Sequence, residues 1–243
     1  MPFRCLKSPI MTKPLIEVCC GTLADVQVAH RIHADRIELN LALELGGLTP
    51  TLGLLRAAKH VTSIPIMVMI RPHNGPYDYS EGDFELMKRD AQLLLNEGAD
   101  GIVFGFLNTD QTVNAHRVKQ LVDLANGKTV VFHKAIDQVP NLDDALKTLM
   151  DCGVNRVLIG GGLGRIDDHL DTLTRLQATY GSTLELLPGG GLHGGNLQRF
   201  IDAGFTQLHM TGKRLDTDPL THVTHVAVDE ATLRSWLSPL GIR

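Results

Sequence analysis

Short apolar runs recur along the chain, and amphipathic stretches separate them. Four times a helix-like stretch ends in a short link that leads straight into an apolar run. The four are His33-Ala34-Asp35-Arg36-Ile37-Glu38-Leu39, Gly98-Ala99-Asp100-Gly101-Ile102-Val103-Phe104, Gly153-Val154-Asn155-Arg156-Val157-Leu158-Ile159 and Gly204-Phe205-Thr206-Gln207-Leu208-His209-Met210. Glycine at three of these links suits a helix end that turns left-handed. Between them lie Leu15–Val18, Ile66–Ile70, Thr129–Phe132 and Leu184–Leu187. Short apolar runs bounded by polar residues, glycine or proline read as buried parallel strands. Thr22, Ser80 and Asn141 are good N-caps, and segments 81–96, 141–151, 167–179 and 195–203 carry apolar residues at helical spacing. Eight strands alternating with about eight helices predict an α/β fold with a parallel sheet and right-handed crossovers. A doubly wound sheet more often stops at five or six strands, whereas a closed (β/α)8 TIM barrel takes ~250 residues. The repeat therefore predicts a single TIM barrel over residues 15–243. Residues 1–14 form a poorly patterned extension in which Met11 is an alternative start to Met1.

The composition fits this reading. With 243 residues, 43% of them hydrophobic and 21% charged, the chain can bury a core without disulfides. The longest apolar run, Ile64–Ile70, contains Pro65 and is far short of the ~18 residues a membrane span needs. A net charge of −4 without a dense basic block speaks against nucleic acid or an anionic membrane as partner. Four irregularly spaced cysteines do not make a secreted disulfide scaffold, and no secretory leader is evident. The cytosol is the expected compartment.

In a TIM barrel the chemistry sits where strands run into loops. His133, Lys134 and Asp137 end the fifth strand: histidine shuttles protons near neutral pH, lysine supplies charge, and Asp137 is near enough to orient either. Glu17 and Glu38 lie inside the first two strands, as acid and base or as part of an ion-pair network with Arg71 or His133. Arg71 ends the third strand, where it suits a carboxylate or phosphate, and Tyr77 and Tyr79 follow in a loop able to cover a ligand. Gly189, Gly190 and Gly191 follow the seventh strand, and their N–H groups, a helix starting near Gly195 and Lys213 predict an anion site. His209 ends the eighth strand. Cys19 and Cys20 are candidate ligands for a soft metal such as Cu(I). His222 and His225 read as exposed loop residues, and Leu233 and Trp236 as core contacts of the last helix.

Six ordered motifs carry a family resemblance: Ile16-Glu17-Val18-Cys19, Asp35-Arg36-Ile37-Glu38-Leu39, Gly46-Gly47-Leu48-Thr49-Pro50, Ile70-Arg71-Pro72, Phe132-His133-Lys134-Ala135-Ile136-Asp137 and Pro188-Gly189-Gly190-Gly191. Together they closely resemble the CutC family, named for copper homeostasis, from about Leu15 to Ala203 with a weaker tail beyond. The resemblance implies a cytoplasmic TIM barrel, often a homo-oligomer, that binds copper. The family's cysteine after Glu-Leu is Asn40 here, which removes one soft ligand and leaves a polar group for substrate. His-Arg-Ala-Phe-Asp becomes His133-Lys134-Ala135-Ile136-Asp137, and Arg-Pro-Arg-Gly-Gly becomes Arg71-Pro72-His73-Asn74-Gly75. Two functions follow: a copper homeostasis protein holding Cu(I) through Cys19 or Cys20, or an enzyme acting on a small phosphorylated or carboxylated metabolite by acid/base chemistry.

Overall fold

The computed structural model describes residues 13–241; most of the expected N-terminal extension, with both candidate start residues, lies outside them. Eight parallel strands, β1 Leu15–Cys20, β2 Arg36–Leu39, β3 Ile66–Met69, β4 Gly101–Phe104, β5 Thr129–Phe132, β6 Arg156–Ile159, β7 Glu185–Pro188 and β8 Gln207–Met210, form one sheet in the order β7-β6-β5-β4-β3-β2-β1-β8. Its two edges come together, so the sheet curls into a nearly closed (β/α)8 barrel. Helices α1 Leu23–Arg31, α2 Leu52–Val61, α3 Glu81–Asn96, α4 Ala115–Ala125, α5 Leu142–Cys152, α6 Leu170–Tyr180 and α7 Leu197–Asp202 each follow a strand, and α8 Glu230–Leu237 closes the ring. No helix among the described residues is long and apolar enough to cross a membrane.

The repeat has a physical basis at its links. His33, Gly98, Gly153 and Gly204 all turn left-handed, with φ of 55°, 97°, 86° and 89°. Two residues on, Asp35, Asp100 and Asn155 each accept an N–H from the first or second residue of the neighbouring strand, Ile16, Ile66 and Val130, at 2.8 Å. The fourth repeat carries Thr206 instead, and β7 and β8 share no ladder. The expected N-caps also form: Thr22 accepts from the Asp25 N–H, Ser80 from Asp83, and Asn141 from Asp143 and Asp144.

Two parts of the chain differ from expectation. The seventh helix begins at Leu197 and has six residues. Between β8 and α8 stands an antiparallel hairpin, β9 Lys213–Thr217 and β10 Thr224–Val228, which places His225 on a strand and leaves Leu215 and Val223 exposed. Leu233 is a core residue as expected, and Trp236, half-buried, packs against the same core and against Gly194.

Candidate functional site

Side chains alternate along each strand, so every second residue enters the barrel. On β3 to β7 most of these are apolar, Arg156 and Glu185 at the lower end being exceptions, and Met67, Met69, Val103, Val131, Leu158 and Leu187 form a core separate from the one under the helices. On β1, β2 and β8 they are polar: Glu17 and Cys19, Arg36 and Glu38, Gln207 and His209. Parallel pairing sets Glu17 beside Arg36 and His209, and Cys19 beside Glu38.

The lower polar layer closes the barrel floor. Arg36 pairs with Glu17 and donates to Gln207 Oε1 at 2.8 Å. Arg156 Nε donates to the same oxygen at 3.1 Å and to Glu185 at 2.7 Å. Glu17 is thus bound to Arg36, not to Arg71 or His133. Burial alone would raise its pKa, but the His209 hydrogen bond and the Arg36 charge hold it well below the usual carboxylate range.

The upper layer is a metal-competent cluster. A ligand atom from each of Cys19, Glu38 and His209 falls within 4.8 Å of the others. His209 Nδ1 lies 2.7 Å from Glu17 Oε1, which leaves Nε2 facing Glu38 at 3.9 Å. Glu38 Oε2 sits 3.4 Å from Cys19 Sγ, and its Oε1 is buried without a partner. Burial, with the neighbouring Glu17 charge, pushes Glu38 up. His209 is carried upward too, because Glu38 and Glu17 outweigh the burial that would lower it. Burial and Glu38 raise the Cys19 thiol far above its ordinary value. Asn40 donates to Glu38 Oε2 at 2.9 Å and to Cys19 Sγ at 3.3 Å, so the position where the resemblance implies a cysteine is one that touches Cys19. Cys20 does not take part. Adjacent strand residues face opposite ways, and its thiol is buried under the helices, 3.7 Å from the Val18 carbonyl.

Above this cluster a cavity of about 560 Å³ opens at the strand C-termini, bordered by Arg71, Tyr77, His133, Lys134 and Trp236 as well as Cys19, Glu38 and His209. His133 caps the 3₁₀ turn over Lys134–Gln138, its Nδ1 accepting the Ala135 N–H at 3.1 Å. Burial, with the Arg71 charge beside it, drives its pKa down to about 3. With Nδ1 accepting, the neutral ring carries its hydrogen on Nε2 and is a donor there at neutral pH. Asp137 does not orient it. That carboxylate accepts N–H groups from Gly160 (2.8 Å) and Gly161 (2.9 Å) and pairs with Lys134 Nζ at 3.1 Å.

The Gly189–Gly191 loop serves Lys134 first. A Cβ on Gly190, whose φ is +90°, would stand 2.1 Å from Lys134 Nζ. The helix expected to start near Gly195 begins at Leu197 and has only six residues. Lys213 does border the cavity, while the neighbouring Arg214 is taken up by Asp216 at 2.7 Å. Tyr77 packs at a tilt against His133 with ring centres 4.9 Å apart, and Tyr79 is buried against Phe106. Sequence reasoning placed His209 with substrate and missed its link to Cys19. The signal was parity: Glu17, Cys19, Glu38 and His209 share the inward phase of adjacent strands.

The sequence pattern of the CutC family matches residues 14–214. The chain belongs to the CutC family. A CutC protein of Treponema denticola is 38% identical over 207 residues, covering 85% of this chain and 84% of the relative. One from Salmonella schwarzengrund is 36% identical over 208 residues, covering 86% and 84%. A solved CutC from Streptococcus agalactiae, by its name a copper homeostasis protein, superposes with a TM-score of 0.76 at 27% identity, covering 81% of this chain and 97% of that one. The family match ends within β9, so β10 and α8 lie beyond it.

Proposed function

We propose that this CutC family member is a cytosolic copper homeostasis protein that takes one Cu(I) as cargo at the barrel mouth. Cys19 and His209 are its ligands and Glu38 is the adjoining carboxylate. The observation that supports this is the convergence of the three donor atoms within 4.8 Å. Thiolate and imidazole suit a soft cuprous ion. Glu17 on the far nitrogen of His209 is the carboxylate partner that metal-bound histidines ordinarily have, and the orphaned Glu38 Oε1 leaves an acceptor for a cation. Three buried free thiols, Cys19, Cys20 and Cys152, fit a reducing compartment.

The raised Cys19 pKa means that copper must displace a proton to bind, so affinity rises with pH. With Asn40 in place of a second thiol, it also falls below that of a multi-thiolate site. Competition for Cu(I) against a chromogenic chelator tests the proposal. One copper per chain is expected, abolished by Cys19→Ser, weakened by His209→Ala and unchanged by Cys20→Ser. Copper retained in full by Cys19→Ser, or none taken up by the wild type, would overturn it.

A further inference from the structure

Three buried arginines project into the barrel, and they are not alike. Arg36 and Arg156 each meet a carboxylate, from Glu17 and Glu185. Arg71, at the mouth and only 6% exposed, has no carboxylate partner among the described residues. Its Nη1 donates to the carbonyls of Leu45 and Gly47 at 2.9 and 3.1 Å, and its Nε is buried without any acceptor. Carbonyl dipoles do not cancel a buried charge, so such a group ordinarily keeps a counter-ion.

The second unsatisfied donor lies beside it. His133 is 4% exposed, its Nδ1 is occupied by a backbone N–H, and its Nε2 has no partner. Tyr77 bridges the two, its ring 5.4 Å from the Arg71 guanidinium carbon and 4.9 Å from the His133 ring. Both residues border the same cavity. One cation without a carboxylate and one neutral N–H, each with a donor left unsatisfied on the same cavity, make a site for an anion.

The surrounding charge sets the anion's class. Lys134, the next cation along the mouth, is committed to Asp137, and the strand beside that of Arg71 carries the Glu38 carboxylate into the same cavity. Among the described residues Lys213, on the exposed strand β9, is the other lysine or arginine at the cavity without a carboxylate partner, so a phosphate dianion held by Arg71 and His133 alone would keep one charge unmatched beside the Glu38 carboxylate. A carboxylate brings one charge and a planar edge suited to the guanidinium. Met69, Leu158, Leu192 and Trp236 supply apolar wall for an organic body.

We propose that the barrel mouth binds a small organic monocarboxylate, its carboxylate held by Arg71 and by the Nε2–H of His133. This stands independently of the copper reading, since neither residue belongs to the metal cluster. The test is made on copper-free full-length protein carrying ¹⁵N-labelled histidine, titrated with acetate, butyrate and benzoate, and separately with inorganic phosphate. A saturable shift of the His133 Nε2 resonance and a raised melting temperature are expected with at least one carboxylate, and a weaker response with phosphate. Arg71→Met and His133→Asn should each weaken binding at least about tenfold, the worth of one hydrogen bond to a charged group. Asparagine can still cap the 3₁₀ turn, so His133→Asn decides the matter should Arg71→Met fail to fold. The proposal is overturned if none of the carboxylates saturates, if His133→Asn binds as well as wild type, or if phosphate saturates at the lower concentration.

Discussion

Replacing His133 by asparagine isolates the free energy of keeping a buried imidazole neutral. In the folded protein its pKa lies at about 3, against 6.5 for an ordinary histidine. Between those values the unfolded chain holds a proton that the folded one does not, so stability falls as pH drops through 6.5, and the loss is complete below about 3. At about pH 4.5 the wild type should be less stable than at neutral pH by about 2.5 kcal/mol from this residue alone. The figure depends little on the folded value: any folded pKa below about 4 changes it by a few tenths. Asparagine does not titrate, yet its Oδ1 can still accept the Ala135 N–H, so the neutral-pH cost of the substitution should be about 1 kcal/mol. The stability gap between wild type and His133→Asn should therefore shift in the variant's favour by about 2.5 kcal/mol on acidification. Urea unfolding followed by circular dichroism at the two pH values measures it. A gap that stays constant would show that His133 takes up its proton in the fold, and the neutral-donor assignment would fail.

Arg36→Met should destabilise the fold by about 3–5 kcal/mol in urea unfolding, because Glu17 is left charged in the barrel interior; a loss under 1 kcal/mol would mean that water reaches the barrel floor. Asp137→Ala strands the N–H groups of Gly160 and Gly161 and frees Lys134, at an expected cost of about 2–3 kcal/mol. An unchanged melting temperature would remove Asp137 from the scaffold. Gly190→Val forces a branched side chain into a left-handed backbone and against Lys134 Nζ, and should lower stability by about 2 kcal/mol or more; the same variant in an Asp137→Ala background should cost less if Lys134 is the obstacle.

The barrel was legible in the sequence because its causes are local. A left-handed link and a short apolar run follow from spacing within a few residues and recur four times, with a polar residue that clasps the neighbouring strand in three of them. The β9–β10 hairpin escaped because β9 carries one large apolar residue, Leu215, and that residue is exposed. Strand-end position also identified the residues of the mouth, since Arg71, His133, Lys134 and His209 all border one cavity. Their partners were not legible. Arg36 meets Gln207 across 171 residues of chain and His209 meets Glu17 across 192, so only the closing of the barrel decides which inward side chain faces which. Composition and spacing offered Glu17 and Glu38 as acid and base or as an ion-pair network, His133 as a proton shuttle and Asp137 as the residue that orients it or Lys134. Tertiary structure separates them: a guanidinium holds Glu17 charged, burial keeps His133 neutral, and Asp137 is spent on backbone N–H groups. Cys19 and Cys20 are neighbours in the chain, yet the alternation of strand side chains sends one to the metal cluster and the other into the core beneath the helices.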